Sequence, residues 1–132
     1  MVNRIKEILY AHTELGIPIT EVYQGGAINV PGTPAPEPPF VVVRGLEWSV
    51  GVGVARQKAY WVFIHDAFGT SYAHRIEPTL HVLSLELPAL APHNADGVHV
   101  TACTWEGDSE DLIDDGAHTV TKYGQFRITG HP

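Results

Sequence analysis

Tyr60-Trp61-Val62-Phe63-Ile64-His65-Asp66 is an unbroken run of strand formers, with no Gly or Pro. The break Phe68-Gly69-Thr70-Ser71 comes next. Tyr72, Ile76, Leu80, Leu83 and Leu87 then recur at helical spacing, which places them on one stripe. A strand offering an apolar face, followed by a helix offering a stripe to cover it, is a core-building unit. The rest of the chain is expected to be arranged around this unit.

Two features complicate this second helix. Pro78 lies inside its pattern, where it deletes a ladder bond and crowds the carbonyl four residues earlier. Either the helix kinks there, or Tyr72–Glu77 is a separate turn and the main helix starts at Pro78. Pro88 ends it at or before Leu87.

Upstream, Asn3 is a candidate N-cap. Ile5, Ile8, Leu9, His12 and Leu15 follow helical spacing before Gly16 and Pro18, so a first helix is expected over Arg4–Leu15. Glu21-Val22-Tyr23 reads as a short strand. The Pro/Gly-rich connection Gln24–Pro39 carries Pro31, Pro34, Pro36, Pro38 and Pro39 and cannot be a central strand, because proline lacks the backbone donor. It is read as an extended exposed loop, either a surface spacer or a partner-binding arm. Phe40-Val41-Val42-Val43-Arg44, apolar at successive positions, is expected to be a strand covered on both faces. Trp48–Lys58 would join it to the Tyr60–Asp66 strand as a hairpin.

Downstream, Ala89–Gly97 reads as a loop, Val98–Trp105 as a strand and Glu106–Gly116 as an acidic turn. Thr119–Thr129 is a last strand. Val120, Gly124, Phe126 and Ile128 share its covered face, and Thr121, Tyr123, Gln125 and Arg127 its wetter one. The expected fold class is α+β, a single domain over 1–132. It has a small antiparallel sheet of about four strands with two helices packed on one face, in α-β-β-α-β-β order.

Composition limits the function classes. The chain has 132 residues, 44% of them hydrophobic and 17% charged, as in a globular domain. A net charge of −7 with eight scattered Lys and Arg argues against gripping nucleic acid, which needs a clustered basic surface. Cys103 is the single cysteine, so an intramolecular disulfide is excluded. No segment approaches the ~20 apolar residues of a membrane-spanning helix. A soluble protein of a reducing compartment is expected.

Several polar groups invite a chemical reading. His65 and Asp66 end a strand, and His74 and His81 are seven apart on one helical face, about 10 Å along the axis. That is too far for two rings to share one zinc at ~2 Å each. His65 and Asp66 are therefore read as a strand-end polar pair. The acidic group Glu106, Asp108, Glu110, Asp111, Asp114 and Asp115 fails the calcium-loop pattern, since Leu112 or Ile113 falls where a ligand is needed. Gly51-Val52-Gly53 lacks the third glycine of a dinucleotide fingerprint. Ser49, Ser71, Ser84 and Ser109 lack a nucleophile-elbow setting. Cys103 reads as buried and inert. Trp48, Trp61 and Trp105 read as core residues or, if exposed, as anchors of a subunit interface. The expectation is no catalytic, cofactor-binding or metal-ligating residue.

Phe40-Val41-Val42-Val43-Arg44-Gly45, then Val62-Phe63-Ile64-His65-Asp66, then Ser71-Tyr72-Ala73-His74-Arg75-Ile76-Glu77 through Leu80 and Leu83, resemble in order and spacing the tail terminator proteins of long-tailed bacteriophages. Trp105-Glu106-Gly107-Asp108-Ser109-Glu110-Asp111-Leu112-Ile113-Asp114 and the closing Phe126-Arg127-Ile128-Thr129-Gly130 continue that resemblance over about Arg4–Gly130. Pro78 departs from the family's helix pattern. The resemblance implies a non-enzymatic virion protein at the tail-neck junction, present in the host cytoplasm during assembly. It implies a homo-hexameric ring that caps the tail tube and docks the head-tail connector. The partners implied are thus other copies, the tail tube protein and the connector or head-completion protein, with no membrane. DNA would pass the lumen without specific binding, which an acidic protein suits. Gln24–Pro39 and Trp48–Lys58, with Trp48, Arg56 and Lys58, are the candidate contacts. The alternatives are another neck or head-completion protein, and a small metal-dependent enzyme using His65, Asp66 and His74.

Overall fold

The computed structural model describes residues 1–12, 22–25, 39–45, 49–50, 56–67, 72–90, 92–95, 98–109, 112–114 and 119–131. The element order is α1 (Val2–Ala11), β1 (Val22–Gln24), β2 (Phe40–Gly45), β3 (Ser49–Val50), β4 (Arg56–Ala67), α2 (Tyr72–Glu86), β5 (His93–Ala95), β6 (Val98–Asp108), β7 (Leu112–Asp114) and β8 (Thr119–His131). Six strands form the path β1-β2-β4-β8-β6-β5, with β3 added on β4 and β7 on β8. The sheet is curled.

This corrects the expected four-stranded antiparallel sheet in α-β-β-α-β-β order. The sheet has twice that number of strands, and it is mixed, because β1 runs parallel to β2. The added strands β3, β5 and β7 have only two or three residues. Segments that short show no alternation, and their pairing exists only in the assembled sheet. The Ala89–Gly97 loop and the acidic turn accordingly contain β5 and β7, and β6 runs on to Asp108.

The parallel β1–β2 pair gives the long connection a structural reason. Parallel neighbours need a crossover of about a dozen residues or more, since the chain must return the length of the sheet before the second strand begins. Fifteen residues, 25–39, separate the two strands, enough for such a crossover; the expected course of the proline-rich stretch, 26–38, lies outside the described residues.

The centre of the sheet is the pairing of β4 with β8, in unbroken antiparallel register from Arg56↔Gly130 to Ala67↔Thr119. Alternation along these strands points Tyr60, Val62, Ile64, Phe126 and Ile128 to one side. There they form a single core with Val41 and Val43 of β2, Ile5, Ile8 and Leu9 of α1, and Ile76, Leu80, Leu83 and Leu87 of α2. Both helices therefore cover the same face. Each fully buried Leu or Ile contributes about 1.5–3 kcal/mol relative to exposure. Phe40 and Val42 are buried on the other side, so β2 is covered on both faces.

The helices differ from expectation in detail. α1 starts at Val2 with Met1 as N-cap, so Asn3 lies inside it and caps nothing, and it ends at Ala11. α2 runs through Pro78 as one helix. Pro78 is exposed, so the interrupted ladder position faces water and not the packed core. His12 Nε2 lies 3.3 Å from Glu86 Oε1, tying the two helices together.

Candidate interaction face

The face of the sheet turned away from the helices is set by the same alternation. β4 contributes Trp61, Phe63 and His65 to it, and β8 contributes Thr121, Tyr123, Gln125 and Arg127. Register brings three rings together across the two strands. Trp61 and Phe63 meet edge-on at 6.2 Å, Phe63 and Tyr123 lie 5.3 Å apart, and Trp61 and Tyr123 6.1 Å apart. All three are partly exposed, and Arg44 of β2, opposite Trp61, is exposed beside them. Arg127 Nε donates to Glu106 Oε1 at 2.9 Å. The wetter side of the last strand, read from its sequence, is this surface; the cross-strand register that joins Tyr123 to Trp61 and Phe63 had no local signal.

Trp61 carries an anomaly: its Nε1 is buried and has no hydrogen-bond partner among the described residues. A buried donor left unpaired costs about 1–3 kcal/mol. Trp61→Phe removes that donor while keeping a ring, so unfolding in urea should show a stability within about 1 kcal/mol of the parent. A larger loss would mean that the indole N–H is satisfied in solution.

His65 sits at the buried end of this face. It is 5% exposed, its ring stacks on Phe40 at 4.4 Å, and its Nδ1 lies 3.0 Å from Thr121 Oγ1. It stands opposite Phe40 on one side and Thr121 on the other. Asp66 is 1% exposed and, as the next residue along β4, points to the helix side. Both stand near the end of β4, as expected, but on opposite faces of the sheet. The side chain of His74 lies outside the described residues. Among the described residues no three of His, Cys, Asp and Glu come together as a metal-binding group.

The other candidate residues are spread over the sheet. Trp48 lies outside the described residues. Trp105 is on the helix side, and its Nε1 donates to Asp108 Oδ1 at 2.8 Å. Two members of the acidic group, Glu106 and Asp108, thus serve local hydrogen bonds. A β-bulge separates Trp105 from Gly107, whose φ of +145° is one that a side chain disfavours. Arg56 and Lys58 begin β4, with Lys58 Nζ 5.0 Å from the centre of the Tyr60 ring.

Cys103 is half-buried beside the core, not fully enclosed. Burial pushes its thiol up from the ordinary 9.0 to about 11. A thiol reagent at pH 8 should therefore label the folded chain far more slowly than the unfolded one, since the thiolate is the reactive form. The raised value favours the folded state fully below the unfolded value of 9.0 and is lost as pH rises through about 11. Relative to Cys103→Ala, the parent should lose stability across that window; parallel pH curves would contradict the assignment.

Comparison with protein-family models and with curated proteins finds no match for this chain.

Proposed function

We propose that this chain is a structural, ring-forming protein of the tail terminator type. It caps the tail tube of a long-tailed bacteriophage, stops its polymerisation and offers a docking face to the head connector. The observation that carries this reading is the ring cluster Trp61, Phe63 and Tyr123 on the face of the sheet away from both helices. Tryptophan and tyrosine dominate the energetics of protein interfaces, because they exclude much water for few frozen torsions. Arg44 and Arg127 beside them match the arginine enrichment of such surfaces. The order of sequence signatures from Phe40 to Gly130 supports the same assignment.

The test is electron microscopy of particles assembled without this protein. Overlong tails or tails detached from heads are the expected result. Tails of normal length joined to heads would overturn the proposal. Supplying Trp61→Ala/Tyr123→Ala should restore termination poorly even where that variant folds, as judged by circular dichroism.

A further inference from the structure

Two histidines stand side by side where β5, β6 and β8 meet. The ladder sets Asn94 of β5 opposite His99 of β6, and His99 opposite His131 of β8. Directly opposed residues project to the same face of a sheet. Val100, the next residue along β6, is buried in the core on the helix side, so His99 points the other way. Asn94, His99 and His131 thus form one row across three strands, on the face away from the helices.

This row meets a distance condition that the sequence spacing of His74 and His81 fails. Opposed residues of an antiparallel pair have Cβ atoms about 4.5–5.5 Å apart. Two nitrogens bound to one tetrahedral ion at ~2 Å each stand about 3.3 Å from one another. Imidazoles rooted on neighbouring strands reach that separation by rotation about their own side-chain torsions, with no backbone movement.

The hydrogen bond within the row fixes which nitrogen is offered. His99 Nδ1 lies 3.0 Å from Asn94 Oδ1. An amide oxygen can only accept, so Nδ1 carries the proton and Nε2 keeps its lone pair. Metal-ligating histidines are commonly held in this way, with the second ring nitrogen donating to an outer acceptor. His99 and Asn94 are exposed and His131 is half-buried, so an ion can enter from solvent. Arg56 pairs with Gly130, next to His131, and therefore projects to the helix side, away from the row.

We propose that His99 and His131 chelate one divalent transition-metal ion, through His99 Nε2 and a ring nitrogen of His131, with Asn94 orienting the His99 ring. Water fills the remaining positions. Imidazole suits copper, nickel and zinc, and a site of two neutral nitrogens should take copper most tightly. The chelate ties the end of β8 to the start of β6. It needs only one copy of the chain and stands apart from the ring reading.

The experiment is calorimetric titration of the full chain with CuCl2 and, separately, with ZnCl2. One tight site per chain is expected, tighter for copper. His99→Ala and His131→Ala should each lower the affinity of that site at least a hundredfold. The double variant should lose little more than either single one, because one ring alone does not chelate; rings in separate sites would give losses that add. Asn94→Leu should weaken binding about 10–100-fold, the range for outer-shell partners. His81→Ala, on the exposed side of α2, should leave binding unchanged.

A second readout needs no variant. CuCl2 at a tenth of an equivalent should broaden the ring-proton resonances of His99 and His131 ahead of those of the other histidines. Binding that survives both single variants, losses that add in the double variant, or broadening that spares these two rings overturns the inference. So does a chain that takes up neither ion.

Discussion

Phe126→Ala is expected to cost about 3–5 kcal/mol, close to the upper range for any single core truncation. Phe126 is fully buried on β8. Its ring is the middle of a three-strand stack: Tyr60 of β4 lies parallel at 5.1 Å and Trp105 of β6 parallel at 6.2 Å. The register that sets Tyr60 and Trp105 both opposite Phe126 is what builds the stack. Removing the central ring strips both neighbours of a contact and leaves a void that the paired strands cannot close, because their hydrogen-bond ladders hold them apart. Domains are stable by only about 5–15 kcal/mol, so the variant should be marginal or unfolded at ambient temperature. The check is urea unfolding: a shifted midpoint at unchanged slope is expected. A loss below about 1 kcal/mol would show that the stack is not the centre of the core.

Gly124→Ala should cost about 1–3 kcal/mol although it adds a single methyl group. The new Cβ would stand 2.2 Å from Trp105 Cζ2, 2.3 Å from Trp105 Cη2 and 3.2 Å from Leu80 Cδ2. Gly124 is paired on both sides, with Val62 and with Asp108, so the backbone cannot retreat and the indole must move. Moving it breaks the stack on Phe126 and the Trp105–Asp108 hydrogen bond together. A second signature separates this from ordinary destabilisation: tryptophan emission of the folded variant should shift to the red as Trp105 swings toward water. In a Trp105→Ala background the same Gly124→Ala change should lose most of its penalty, since residues in contact couple strongly. Equal cost in both backgrounds would place the clash elsewhere.

Parts of this architecture are open in the linear chain. The spacing of Ile76, Leu80, Leu83 and Leu87 marks the buried stripe of α2, and the alternation along β8 separates Phe126 and Ile128 from Tyr123 and Arg127. Both signals are local, with periods of 3.6 and 2 written over many residues. The short strands are not open, because a two- or three-residue segment such as Ser49–Val50 becomes a strand only when a longer neighbour supplies its hydrogen bonds. Nor is the parallel course of β1 beside β2: Val22-Tyr23-Gln24 has no feature that tells one direction from the other. The separation of His65 from Asp66 follows from alternation and is readable; the stacking of His65 on Phe40 is not.

The interaction face divides in the same way. That Trp61 and Phe63 share one side of a strand is a property of their spacing. That Tyr123, far along the chain, completes their cluster is a property of register.

The linear chain alone dictated which faces of its long helix and long strands avoid water, since that depends only on the repeat of apolar side chains along each element. Which strands are neighbours, and in what register, was settled only in the folded sheet, and with it the place where aromatic rings collect. Pairing energy comes from backbone groups that every residue carries, so it leaves little mark on the order of side chains.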